Sequence, residues 1–190
     1  METDTNQIDV REQLERFIQP EKWSDPLADL RRLLSYPFIN FVSQYFTRTR
    51  EFEAGLDFVE CCYDIMWQHS EEITKSEAVF WDRYLTGLRL ALYDSLNMWP
   101  EYIDGYADMI SRYPDLDTPL RRDRLHIIER KQEKYSTGKK IDGQLRYQAY
   151  ELAPEERERR QREMMVLFAR MCRPPWQPCT ETTVPAKRDR

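Results

Sequence analysis

The chain has 190 residues, of which 41% are hydrophobic, 33% are charged and only 5 are glycine. This composition supplies enough apolar side chains for one packed core and favours helices over a sheet. No run of about 18 apolar residues occurs, and the first residues are polar and acidic, so we expect no membrane span, no secretory signal and a cytoplasmic location.

Charge and aromatic rings are distributed unevenly along the chain. Residues 1–113 carry 21 acidic and 11 basic side chains, whereas residues 114–190 carry 13 acidic and 18 basic ones. Of the 24 aromatic residues, 17 lie in 36–113. We therefore expect a single helical domain over 1–172, made of an acidic, aromatic-rich part over 1–113 and an arginine-rich part over 114–172.

Apolar periodicity predicts a succession of helices. The first covers residues 6–19 and ends at Pro20, and the second begins at the capping signal Ser24-Asp25-Pro26. The segment Phe38 to Phe46 is compatible with a strand or a helix, and its i, i+3, i+4, i+7 spacing favours a helix. Further apolar stripes predict helices over 51–69, 74–98, 100–113, 119–135, 144–152 and 154–172. The spacing Thr74-x-x-Glu77 predicts a capping box at the start of the helix over 74–98.

Short connections between these helices predict an all-α fold, either an irregular multi-helix bundle or a short α-solenoid, of about seven helices. The last residues, 173–190, contain four prolines and no helical period, which predicts a flexible tail. The four cysteines show no metal-ligand spacing. We expect Cys61 and Cys62 to be reduced, mostly buried thiols, because a free cysteine packs as a small hydrophobic residue.

One pair of residues has a catalytic precedent. The motif Arg121-x4-His126, on a predicted helix, resembles the R-x4–6-H motif of HEPN ribonucleases, which are helical bundles. The resemblance implies metal-independent RNA cleavage, in which His126 takes part in proton transfer and Arg121 stabilises the phosphate charge. The sequence otherwise has no glycine-rich phosphate loop and no nucleophile motif, so it favours a protein that is not an enzyme and has no metal or cofactor.

The arginine-rich part allows a second function, as a helical subunit of a ribonucleoprotein complex, because guanidinium groups match phosphates in shape and charge. The arginines that would contact the phosphate backbone are Arg121, Arg122, Arg124, Arg157, Arg159 and Arg160. Acidic side chains are interleaved with them, and helices of this kind are usually solvated faces with i, i+4 ion pairs. Nucleic acid is therefore the less favoured partner.

The aromatic residues favour a third function, protein–protein interaction. Trp67, Trp99 and Tyr102 lie near predicted helix ends, where a ring is easily half exposed, and tryptophan and tyrosine are enriched at interfaces. Trp176 stands among prolines of the tail, a pattern that suits docking in a groove. We expect a non-catalytic interaction or regulatory subunit, an adaptor or inhibitor, whose acidic, aromatic-rich surface binds another protein with a basic patch.

Overall fold

The computed structural model of the chain describes residues 3–35, 38–136 and 152–172, with side chains over 11–35, 38–134 and 152–172. These residues form eight α-helices and no strand. The helices are α1 (Thr3–Ile18), α2 (Pro26–Leu33), α3 (Phe38–Thr49), α4 (Phe52–Gln68), α5 (Lys75–Ser95), α6 (Trp99–Arg112), α7 (Pro119–Ser136) and α8 (Pro154–Cys172). The all-α prediction is confirmed. The expected helix over 144–152 and the tail over 173–190 lie outside the described residues.

The predicted capping signals define two of the helix starts. The Asp25 carboxylate accepts a hydrogen bond from the Ala28 N–H at 3.1 Å, at the beginning of α2. At the beginning of α5, Thr74 and Glu77 form the expected capping box, each accepting from the other's backbone N–H. A bond from Arg31 of α2, together with those from Thr74, lowers the pKa of Glu77 to about 2. Glu77 therefore both starts α5 and ties it to α2.

The main core lies between α1 to α5 and α8, and aromatic rings form one side of it. Phe17 of α1 lies 5.1 Å from Phe38 and 5.2 Å from Phe168, measured between ring centroids. Phe41 lies 5.4 Å from Phe168 in the same way. Tilted ring pairs at these distances add stabilisation to that of the buried area. The last helix therefore closes the bundle by packing on α1 and α3.

Helices α4 to α7 form a layer in which each helix packs against the next one along the chain. The pairs run antiparallel, since Gly55 of α4 meets Leu92 of α5, and Gly105 of α6 meets Leu90. A second, smaller core joins α5, α6 and α7, and its buried members are Leu90, Trp99, Tyr102, Tyr106, Met109 and Ile128. α7 is thus the edge helix of the layer, supported chiefly by α6.

Two glycines report how closely this layer is packed. A Cβ atom at Gly55 would lie 3.0 Å from side-chain atoms of Leu92 and Phe46, whereas one at Gly87 would meet nothing within 4 Å. Alanine favours a helix over glycine by about 1 kcal/mol, so we expect Gly87→Ala to raise the free energy of unfolding by about 0.5–1 kcal/mol. Gly55→Ala has the same helical gain, but overpacking costs about 2 kcal/mol, for a net loss of about 1 kcal/mol.

Urea denaturation of the two variants beside the unchanged protein measures this difference, and Gly87→Ala serves as the control for helix propensity. Opposite signs are the expected result. A gain in stability from Gly55→Ala would contradict the close contact of α3, α4 and α5 at this point.

Candidate protein-interaction surface

The outer side of α4 carries a row of acidic side chains that ends at a tryptophan. Its members are three or four residues apart, so they share one side of the helix. They are Glu53, Asp57, Glu60, Asp64 and Trp67, all of them exposed. Trp67 leaves 82% of its surface exposed, an unusual extent for so large a ring. We call these five residues the α4 acidic face, which is about 21 Å long at 1.5 Å per residue.

Few cations neutralise this face. Glu60 forms an ion pair with Arg89 of α5, with 2.8 Å between nitrogen and oxygen. The other acids of the row, Glu53, Asp57 and Asp64, have no ion pair within the part of the chain that the structure describes. Like charges at i, i+4 lower the stability of a helix. The row therefore does not stabilise α4 by itself, and cations supplied by another molecule would relieve its repulsion.

The boundary between the α4 acidic face and α5 is fixed by Arg89 and Tyr63. The Arg89 guanidinium lies over the Tyr63 ring, 4.7 Å from its centroid. A cation on an aromatic face is attracted by the ring quadrupole. Because Arg89 also binds Glu60, the arginine is held in place on one side of the row and neutralises one of its charges.

Next to this boundary, Asp82 joins three helices through hydrogen bonds. Its carboxylate accepts from the Tyr63 hydroxyl of α4 at 2.8 Å, and from Arg112 and Tyr113 at the end of α6. The Thr86 hydroxyl lies 3.0 Å from the Tyr63 hydroxyl in the same network. Burial alone would raise the pKa of Asp82, but the bonds from Tyr113, Arg112 and Tyr63 outweigh it and lower that pKa.

This network holds the layer together and is poorly suited to proton transfer. An ionised carboxylate that already accepts from three donors, and whose pKa is lowered, is a weak base near neutral pH. The Arg112 guanidinium is shared with Asp108, at 2.6 Å, so its charge is also balanced within the layer. The Asp82 network therefore positions α4, α5 and α6 relative to one another.

The structure places the predicted interface aromatics differently from one another. Trp67 is exposed, as expected, whereas Trp99 and Tyr102 expose only 7% and 6% of their surface. The expectation that these two rings are half exposed was wrong, because both belong to the smaller core, which Ile128 of α7 helps to form. Trp176 lies outside the described residues. Of the three predicted interface rings that the structure describes, only Trp67 is thus exposed.

Sequence reasoning missed the acids beside Trp67. The signal was present, because residues 53, 57, 60, 64 and 67 follow helical spacing within a segment already predicted as a helix. The inward apolar stripe predicts that the helix is buried on one side, and the acids at this spacing mark its outward side.

The arginines of α7 that were predicted to contact phosphate already have partners. Arg124 forms a two-pronged ion pair with Asp94, with hydrogen bonds of 2.6 and 2.7 Å. Arg122 pairs with Asp117 at 3.4 Å. Arg121 donates to the backbone carbonyl of Leu116 at 3.0 Å. These contacts hold the guanidinium groups against the protein, so a phosphate would have to compete with them.

The arginines of α8 that were predicted to contact phosphate are paired in the same manner, with one exception. Arg159 and Arg160 both bind Glu156, each at 2.7 Å. Arg160 also donates to the backbone carbonyl of Arg48, at 2.9 Å. Arg157 has no ion pair among the residues described. The interleaved acids of this helix therefore occupy most of its guanidinium groups.

Arg121 and His126 do not meet on one side of α7. Residues five apart point about 140° apart around a helix, and the contacts agree, since Arg121 turns to Leu116 while His126 is exposed. The His126 Nδ1 atom lies 3.2 Å from the Glu129 carboxylate, within the same helix. A role of this pair in cleavage stays a prediction from the motif.

The cysteines lie as expected where the structure describes them. Cys62 is fully buried and Cys61 is half buried, and burial raises the pKa of both thiols. Over the described ranges, no group of three or more His, Cys, Asp or Glu side chains is placed to hold a metal ion. Within the same ranges, no helix has the length and apolar character needed to cross a membrane.

Comparisons with models of known protein families, with curated proteins and with solved structures found no match to this chain. The fold and the surface define it as an all-α helical bundle, one helix of which presents a row of exposed acids ending at Trp67.

Proposed function

We propose that the protein is a non-catalytic interaction subunit, an adaptor or inhibitor, that binds a partner protein with a basic surface through the α4 acidic face. The observation that carries the proposal is the row of exposed and mostly unpaired carboxylates on one side of α4, next to the exposed ring of Trp67. The complementary partner would present lysines or arginines about 4.5–6 Å apart, the rise of three or four helical residues.

The two kinds of side chain in the face have different physical roles in binding. The carboxylates attract a basic partner over distances near the Debye length, about 8 Å at physiological salt, and so increase the rate of association. Trp67 offers a large ring whose burial contributes affinity, and whose face can hold a lysine or arginine cation. A charged row next to an aromatic anchor therefore supports both fast and specific association.

The pairing of the arginines favours this function over the ribonucleoprotein alternative. Contacts to phosphate would require Arg122, Arg124 and Arg159 to leave carboxylates of their own chain. The carboxylates of the α4 acidic face would, in addition, repel a polyanion. Binding of a basic protein to the α4 acidic face requires no arginine to leave its carboxylate and meets no such repulsion.

Affinity capture of the tagged protein from its native cells, with nuclease and at low and high salt, tests the proposal. We expect a defined protein to be retained after nuclease treatment, and its retention to fall on Trp67→Ala and on the double change Asp57→Asn/Asp64→Asn. With the purified pair, calorimetry should give a loss of at least about tenfold in affinity for Trp67→Ala, since buried interface tryptophans often contribute 2 kcal/mol or more.

Matched controls separate this face from the rest of the surface. Phe80→Ala removes another exposed ring, 52% accessible, and Glu12→Gln/Glu155→Gln removes two exposed acids from other helices. Neither should change retention of the partner. Recovery of RNA or DNA that is lost with salt or nuclease, without a retained protein, would contradict the proposal. It would favour nucleic-acid binding through the arginines of α7 and α8 instead.

A further inference from the structure

One side of α7 is not covered by the rest of the described chain. Another side contributes Leu125 and Ile128 to the smaller core shared with α6. On the uncovered side, Leu120 exposes 80% of its surface and Ile127 exposes 44%. The two residues are seven apart, so they lie two turns from each other in one line along the helix. Isolated exposed apolar residues are common, but an aligned pair on an edge helix is a candidate contact surface.

Charged side chains lie beside these two residues, with an acid nearer the beginning of the helix and a base nearer its end. Asp123, on the N-terminal side of Ile127, and Arg130, on its C-terminal side, are both exposed. Neither has an ion pair within the described part of the chain. Arg124 lies between them in sequence and is bound to Asp94. We call Leu120, Asp123, Ile127 and Arg130 the outer side of α7, with its acid nearer the beginning and its base nearer the end.

We propose that the outer side of α7 binds the same side of a second copy of this chain. The two helices would be antiparallel, and the two-fold axis would pass between them at the level of residue 125 along the helix. In an isologous contact, each group of one copy meets its complement in the other. The antiparallel order places Asp123 of one copy within one helical turn of Arg130 of the other. It also places Leu120 within one turn of Ile127 of the other copy, so apolar and charged contacts are satisfied together.

The sign order along the helix selects this arrangement among those available to two copies. A parallel pair would set Asp123 beside Asp123 and Arg130 beside Arg130, and like charges at such distances repel. In the antiparallel pair each Asp123 lies about 4.5 Å along the helix from Arg130 of the other copy and about 6 Å from the other Asp123, so the attraction acts over the shorter distance. Complementarity with itself is therefore a property of this side as it stands, and no unknown partner is needed to account for it.

The proposed contact buries a small area, so we expect the affinity of the dimer to be low. Two apolar side chains and one acid–base pair from each copy bury less area than a permanent dimer requires. Interfaces below about 1,200 Å² are typical of transient complexes. We therefore expect a dissociation constant of about 10–100 µM, corresponding to roughly 5.5–7 kcal/mol, and a monomer at low concentration.

Sedimentation velocity of the full chain, from about 5 to 500 µM, spans this range and tests the proposal. The sedimentation coefficient should rise with concentration. Leu120→Glu and Ile127→Glu should each weaken the dimer by at least about tenfold, because they bring a carboxylate into the contact. The control Val166→Glu places the same charge at a site of similar exposure, 52%, on α8 and should leave the dimer unchanged.

A charge exchange tests the antiparallel pairing itself. Asp123→Arg should weaken the dimer, and the double change Asp123→Arg/Arg130→Asp should restore it, since both sites are exposed and the signs are only exchanged. Circular dichroism checks that each variant keeps its helices. A protein that stays monomeric at every concentration, a dimer that persists in Leu120→Glu, or a failed rescue would overturn the proposal. The outcome is independent of binding through the α4 acidic face.

Discussion

Phe168→Ala is expected to lower the free energy of unfolding by about 3–5 kcal/mol, the largest effect of a single substitution that we expect in this chain. The ring is 2% exposed and packs against Phe17 and Phe41 at 5.2 and 5.4 Å. Its removal forfeits the transfer energy of a buried ring and leaves a cavity between α1, α3 and α8. Since the free energy of unfolding of a native protein is about 5–15 kcal/mol, the variant should be only marginally stable.

Urea denaturation followed by circular dichroism measures this loss, and Val166→Ala is its control. Val166 lies two residues earlier on α8 and is 52% exposed, so its truncation should change the free energy of unfolding by no more than about 0.5 kcal/mol. The two variants compare the exposed and the buried side of α8 at nearly the same position along the helix. A loss below about 1 kcal/mol for Phe168→Ala would contradict the packing of α8 into the main core.

The fold class could be predicted from the sequence because it depends on local patterns. The i, i+3, i+4 spacing over Phe38 to Phe46 correctly favoured a helix, and Asp25 and Thr74 cap the helices that they were expected to begin. The return of α8 onto α1 and α3 has no such local pattern. Its contact from Arg160 to the carbonyl of Arg48 joins residues 112 positions apart. Only packing of the whole chain determines such a pair.

The candidate site was predicted in part, for the same reason. Trp67 and Trp99 met one local criterion, a position near a helix end, yet one is 82% exposed and the other 7%. Their difference arises from the smaller core, which contains Trp99 and to which α7 contributes Ile128 from a distant part of the sequence. Ion pairs likewise divide into those that a local sequence pattern predicts and those that depend on the packing of distant helices. The pair Arg159–Glu156 follows from helical spacing, whereas Arg124–Asp94 requires that the fold bring α7 next to the last turn of α5.

Asp82→Asn is expected to lower the free energy of unfolding by about 2–3 kcal/mol near neutral pH, since hydrogen bonds to a charged group contribute about 1.5–3 kcal/mol. The Asp82 side chain is 17% exposed and accepts from Tyr63, Arg112 and Tyr113. An amide has one oxygen in place of two, and its nitrogen donates where the carboxylate accepted. At least one of the three donors would therefore lose its acceptor, and Arg112 would lose a charge partner.

The loss should depend on pH in a definite direction. The net effect of burial and of the bonds from Tyr113, Arg112 and Tyr63 is a pKa of Asp82 below its ordinary value of 3.8. A carboxylate with a lowered folded-state pKa stabilises fully above the unfolded pKa, and this stability is lost as the pH falls through the folded pKa. The difference between the unchanged protein and Asp82→Asn should thus be constant from pH 7 to about 5 and narrow below about pH 4.

Asp108→Asn is the matched control, because Asp108 binds the same arginine from an exposed position. Its carboxylate lies 2.6 Å from Arg112, but its side chain is 61% exposed, and exposed ion pairs contribute about 0–1 kcal/mol. Urea denaturation of both variants between about pH 3 and pH 7 separates the two carboxylates, because only Asp82 joins α4, α5 and α6. Equal losses, or an Asp82→Asn difference that stays constant down to pH 3, would contradict a stabilising network centred on Asp82.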